Sequence, residues 1–236
     1  MSKVIVLLIL FLGSILAASA AEIRPIHSWA EFRERAISDG KTEAEADAQI
    51  AELLSTLKEM DRAAGDDLIG SAAPPFRFDA WLNAEPLTLE ALRGRVVLVR
   101  WWTDTCPFCA SSAPALRALH QEYADQGFTL IGVFHPKAGR DDPLDVARVQ
   151  SAIDARKFTF PIAIDWNWRK GTLKDWWLTG VDRPATSVTF ILDKAGIIRF
   201  IHPGMEYHDP IATEGHAMCA NDMGRIRATI TRLLAE

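Results

Sequence analysis

Cys106-Pro107-Phe108-Cys109 is the stretch of this 236-residue chain whose residue types and spacing most directly promise chemistry. Two thiols separated by two residues can hold a metal, close a structural cross-link or carry electrons. A zinc site needs about four ligands, usually from two such pairs, and no second CxxC exists here. Haem attachment needs a histidine directly after the second cysteine, where this chain has Ala110. A redox dithiol needs a thiolate stabilised in a partly exposed place, and the flanking residues favour that reading. The preceding VVLVRWW reads as a strand, and residues 110–126 read as a helix. Pro107 suits the first turn of that helix, where its missing N–H is harmless. Cys106 would then sit at the helix N-terminus, where unpaired N–H groups and the dipole favour negative sulfur. Cys109, about one turn on, would be more buried and would act as the resolving thiol. A structural disulfide and a metal site remain the competing readings.

Other residues carry weaker signals. HPGMEYHDPIATEGHAMC gathers His202, His208, His216 and Cys219. His216 and Cys219 are three apart and would share a helical face, and soft sulfur with imidazole suits copper or zinc. His208, His216 and Cys219 are therefore candidate metal ligands, although no fourth ligand is assured. The alternatives are loop histidines beside a half-buried free cysteine, or a third thiol within reach of Cys109. His135, in GVFHPK, either lies near Cys106 and tunes it or is a plain surface histidine. The second reading is favoured, because a lone histidine needs a partner to become functional.

The elements that must position these groups follow from pattern. Residues 21–41 look irregular. Thr42 and Glu45 fit a capping box, and apolar residues then recur with helical period from Ala46 to Met60. That predicts an amphipathic helix over 42–64, ended by Gly65. Gly70 to Pro75 reads as a linker and a domain boundary. Strands are expected at 96–102, 129–134, 160–165, 188–193 and 197–202. Helices are expected at 89–92 (short), 110–126, 143–157, 171–178 and 220–234. This alternation predicts an α/β domain with parallel strands in its first half. Asp193-Lys194-Ala195-Gly196 reads as a hairpin turn, so its flanking strands should be antiparallel. The tryptophans at 101, 102, 166, 168, 176 and 177 are expected mainly in the core, although a groove lined by 166–177 is the alternative.

The first residues are of another kind. Lys3, an apolar run from Val4 to Leu16 and Ala18-Ser19-Ala20 fit a secretory signal peptide over 1–20, cut before Ala21. The run is short for a membrane span, so an uncleaved anchor is the lesser reading. Export to a compartment such as the bacterial periplasm would let thiols oxidise, and three cysteines would leave one bridge and one free thiol. The net charge of −5 gives no support to nucleic-acid binding, which usually needs a basic face.

VVLVRWWTDTCPFCASSAPALRALHQEY resembles the active-site segment of the thioredoxin superfamily, closest to its exported TlpA/ResA-like and AhpC/TSA "redoxin" branch. SAAPPFRFDAWLNAEPLTLEALRGRVVLVRWW resembles the entry of that branch, with a small hairpin. FTLIGVFHPK and SVTFILDKAGIIRFIHPG resemble its next strand and closing hairpin. The resemblance covers about residues 70–236 and leaves 21–69 as an N-terminal extension. It implies a thioredoxin fold, a central mixed sheet flanked by helices. It further implies dithiol exchange with a redox partner protein, a protein disulfide or peroxide as substrate, and no organic cofactor.

Departures from the family pattern mark the remaining candidates. Thr105 stands where a tryptophan is usual before the first cysteine. Arg100 stands where thioredoxins carry a buried acid. If Arg100 points toward the pair, its charge lowers the thiolate pKa and favours the reduced form. If it faces the other side of the strand, it merely packs by its stem. Counting back from Phe190 puts Ser187 where the family has a cis-proline, with Pro184 three residues too early. Peroxidases of the superfamily carry a proline and a threonine before their reactive cysteine. The corresponding positions hold Val99 and Thr103, a half-match that keeps a thiol peroxidase as the runner-up. A non-catalytic binding module with CPFC as a structural bridge is the third reading.

Overall fold

The computed structural model describes residues 23–137, 141–179, 183, 185–210 and 217–236. The proposed signal segment up to Ala20, Pro184 and His216 lie outside them.

VVLVRWW forms β2 (Val96–Trp102), buried along its whole length at the centre of a six-stranded sheet. β3 (Phe128–Phe134) pairs with it in parallel, and β4 (Ile162–Ile164) continues the parallel run. On the other side, β5 (Thr189–Leu192) and β6 (Ile198–His202) are antiparallel. Their turn is the expected one: Asp193 Oδ1 accepts from the N–H groups of Ala195 and Ile197, and Gly196 takes φ +72°. β1 (Ala80–Leu82) is the far edge and pairs antiparallel with β4. The small hairpin expected near the domain entry is thus a long-range strand pair.

Because side chains alternate along a strand, β2 divides the core in two. Val96, Leu98 and Trp102 face α3 (Pro107–Tyr123), α4 (Val146–Arg156) and α6 (Ala217–Ala235). Val97, Val99 and Trp101 face α5 (Thr172–Trp176) and residues 64–92. Trp166, Trp168, Trp176 and Trp177 are all buried, so they are core rather than groove lining.

The N-terminal region differs from expectation in two ways. Residues 21–41 are not wholly irregular, since α1 spans Trp29–Ser38. The signal for it was present: Ser28 caps the helix by accepting from the Glu31 N–H. α2 spans Glu43–Glu59 with both bonds of the capping box at Thr42 and Glu45, so it stops short of 64. Gly65 does not end it. It takes φ +100° at the start of a single 3-10 turn, where a Cβ would lie 2.9 Å from Trp177 and 3.1 Å from Ile201. Leu89–Leu92 forms turns, not a helix. The Gly70–Pro75 segment is stitched to the sheet edge, with Gly70 N–H donating to the Ile198 carbonyl and Ile198 N–H to that of Ser71.

Candidate functional site

Cys106 is the N-cap of α3, in extended conformation, and Pro107 occupies the first turn. Cys109, one turn on, is 2% exposed, whereas Cys106 is only partly covered. The geometry is the one that strand–CPFC–helix implied. The backbone N–H of Cys109 points at the Cys106 sulfur and favours a thiolate there.

The two thiols titrate as a unit, sharing one proton between their sulfurs. The hydrogen bond from Cys106 is the largest influence on Cys109 and, with Arg100, the Thr103 backbone and Arg156, brings it down to about 6 despite burial. Cys106 keeps the shared proton, raised well above its ordinary value by that same bond and by burial, with Lys137 opposing. The helix terminus alone suggested that the anion would rest on Cys106. Within the pair, the hydrogen bond from Cys106, aided by Arg100 and Arg156, lowers Cys109.

Arg100 points toward the pair. It is fully buried, on the same face of β2 as Leu98 and Trp102. Its guanidinium donates to the carbonyls of Ser187 and Met205 and to Thr189 Oγ1, and lies 5.0 Å from the Tyr207 ring centre. This ties the Ser187 loop to the dithiol strand. Trp101 N–H donating to the Val188 carbonyl is a second tie.

Arg156 was not foreseen. It ends α4, 4% exposed, with its guanidinium 5.1 Å from the Trp102 ring centre. Its Nη2 donates to the carbonyls of Ile26 and Asp104. Asp104, two residues before Cys106, is buried and held in a two-pronged ion pair by Arg148, at 2.7 and 2.8 Å. Its carbonyl also accepts from the Ile26 N–H at 2.7 Å. The loop leading into CPFC is therefore clamped by α4 and by the N-terminal segment. No local pattern announces such contacts between residues 130 apart in sequence.

A pocket of about 330 Å³ opens beside Cys106. Thr105, Pro107 and Ser187 form one side, and Phe32 of α1 and Leu53 of α2 form another. Trp29 packs edge-on against Phe108 with ring centres 4.9 Å apart. The N-terminal helices thus overhang the dithiol.

The remaining candidates fall elsewhere. Thr103 is buried and its hydroxyl lies 3.3 Å from Asp104 Oδ1. Val99 faces the opposite core. His202 is buried against Asp222 at 3.2 Å. His208 and Cys219 come together with Glu206, and Cys219 is fully buried rather than half-buried, its thiol pushed up to about 12 by burial and nearby carboxylates.

His135 is not at the surface. It is 0% exposed, its ring 5.4 Å from that of Trp168, and neither ring nitrogen has a hydrogen-bond partner among the described residues. Burial and Lys137 bring its pKa from 6.5 down to about 3. Because the folded protein holds this base neutral, its contribution to stability is complete above pH 6.5 and is lost as pH falls toward 3. Acid unfolding monitored by circular dichroism should show that loss, roughly 5 kcal/mol. His135→Met should flatten the curve across the same interval; an unchanged curve would contradict this assignment.

A mixed sheet of this order, carrying a dithiol at the start of the helix after its central strand, defines a thioredoxin-like oxidoreductase. The fold is shared by a thiol-disulfide isomerase from Corynebacterium glutamicum, at TM-score 0.53 and 23% identity over 70% of this chain and 97% of that one. Residues 68–215 match the Redoxin family, and the chain belongs to that family. Thioredoxin-like protein YneN of Bacillus subtilis is 31% identical over 135 residues, covering 57% of this chain and 71% of YneN. Thiol-disulfide oxidoreductase ResA of Halalkalibacterium halodurans is 32% identical over 84 residues, 36% of this chain and 44% of ResA. Protein DipZ of Mycobacterium tuberculosis is 31% identical over 150 residues, but the match spans only 20% of DipZ.

Proposed function

We propose that this chain is an exported thiol-disulfide oxidoreductase in which Cys106 is the attacking sulfur and Cys109 the resolving one. The observation that carries this reading is the asymmetry of the pair: Cys106 at the pocket, Cys109 buried beside Arg100 and Arg156. The Cys106 thiolate attacks one sulfur of a substrate disulfide. The substrate S–S bond breaks, and its other sulfur leaves as a thiolate. Cys109 gives its proton to the departed substrate thiolate and then attacks Cys106 Sγ, closing the CPFC disulfide and expelling the second substrate thiolate. Two electrons pass to the substrate, and the reverse sequence oxidises a dithiol. The proton shared by the pair moves to Cys109 when Cys106 becomes the anion, so no outside base is needed to start.

Several features bear on partner and place. The roof formed by Phe32 and Leu53 suits a narrow segment reaching in, not a flat protein face. The partner is a redox protein that restores the oxidation state of the pair. The apolar leader supports export, with the periplasm as the compartment. No helix among the described residues is long and apolar enough to cross a membrane.

The peroxidase reading is less well supported by the site, because Val99 faces the far core and the Thr103 hydroxyl is within bonding distance of Asp104. Rapid mixing separates the two. Trp102 shares the core face of Cys109, so its fluorescence should report oxidation of the reduced protein. Fast oxidation by an oxidised peptide disulfide and slow oxidation by hydrogen peroxide is the expected pair of results. The opposite pair would assign a peroxidase.

A further inference from the structure

Glu206, His208 and Cys219 offer three different donors, a carboxylate oxygen, an imidazole nitrogen and a sulfur, all within 4.8 Å of one another. All three are buried, at 0%, 7% and 0% exposure. They come from two elements that other contacts already hold. Cys219 lies in the first turn of α6. Residues 205–208 are pinned to the dithiol side: Met205 carbonyl accepts from Arg100, Tyr207 N–H donates to Ser112 Oγ, and the Tyr207 hydroxyl pairs with Thr189. With Tyr207 turned toward Thr189, the residues on either side of it turn the other way, toward Cys219.

We propose that Glu206, His208 and Cys219 form a zinc(II) site separate from the CPFC dithiol. Three observations support that choice of ion. The mixed oxygen, nitrogen and sulfur donors match zinc, whereas calcium and magnesium take oxygen ligands. A thiolate and a carboxylate together neutralise a divalent charge in a place where unpaired charge is costly. His208 Nδ1 lies 2.7 Å from the Asp209 carbonyl. That contact places a proton on Nδ1 and orients the ring through an outer carbonyl partner, as metal-binding histidines commonly are. Loading displaces the proton from Cys219, and water takes the fourth position. The ion clamps residues 205–208 to α6. Cys219 packs in one cluster with Phe108, Met205 and Cys106, so the clamp would stiffen the rear of the dithiol pocket.

The test uses the full chain carrying Cys106→Ser and Cys109→Ser, kept reduced by a phosphine. Cys219 is then the only cysteine. Cobalt(II) at one equivalent should give a thiolate-to-metal charge-transfer band and tetrahedral visible bands, and zinc(II) should bleach them. Competition with a chromophoric chelator should show zinc affinity falling about 100-fold or more in His208→Ala and in Glu206→Gln, since even outer partners can cost that much. No charge-transfer band in the double-serine protein would overturn the proposal, as would binding that needs Cys106 and Cys109. Failure of a single ligand variant to fold leaves the cobalt result decisive, because that result needs no change at the site.

Discussion

Replacing Cys109 with Ala should leave a protein that starts the exchange and does not finish it. Cys106 stays at the pocket and at the head of α3, so it still attacks a disulfide. The sulfur one helical turn away that would release the product is gone. Incubation of the reduced variant with oxidised extract should accumulate a mixed disulfide at Cys106, seen as a shifted band on a non-reducing gel and mapped by mass spectrometry. Steady turnover should fall on the order of 10³-fold or more, as expected when a covalent step loses its partner group. Cys106→Ala should trap nothing, since Cys109 is 2% exposed. Equal trapping by the two variants would sink the division of roles.

Arg100→Met should weaken the pair as an acid and as an oxidant together. The charge on Arg100 lowers the Cys109 pKa from within the core. An opposite charge at such a place is worth about 1–3 pKa units. Its loss raises the pKa of the first thiol to ionise, so less thiolate is present at pH 7 and neutral-pH exchange slows. The reduced form loses stabilisation, and the reduction potential becomes more negative by about 30 mV per pKa unit. Thiolate absorbance against pH and a glutathione redox titration measure the two shifts. Arg100 also donates to two carbonyls and a hydroxyl, so the variant loses structural contacts. Arg100→Lys separates the effects, because it keeps the charge with fewer donors. Recovery of the pKa and potential in the lysine variant, with stability still reduced, is the expected result. A methionine variant with unchanged titration would show that Arg100 is only a structural strut.

What the chain declared locally was the part of the fold built from short-range rules. VVLVRWW is long, apolar and β-branched enough to be a buried central strand. Pro107 announces a helix start at Cys106, and Asp193 with Gly196 announces the hairpin. The Ser28 and Glu31 cap signals α1 as plainly as Thr42 and Glu45 signal α2.

The rest required contacts between distant parts of the chain. Period-2 alternation places Arg100 on one face of β2 or the other, and only the packing of α3 and α6 decides which face is the dithiol's. Arg156 reads as an ordinary helix-end cation until α4 is laid across the Asp104 loop. Glu206 lies in no motif, yet the pin at Tyr207 turns it toward Cys219. His135 reads as a surface histidine at a strand end, because Pro136 and Lys137 follow it, yet it is buried with its ring against Trp168 from another segment. Sequence by itself determined the class of chemistry, because strand, dithiol and helix cap are contiguous. Tertiary structure alone decided which charges surround the dithiol, because Arg100 on β2 and Arg156 at the end of α4 are brought beside Cys109 only by folding.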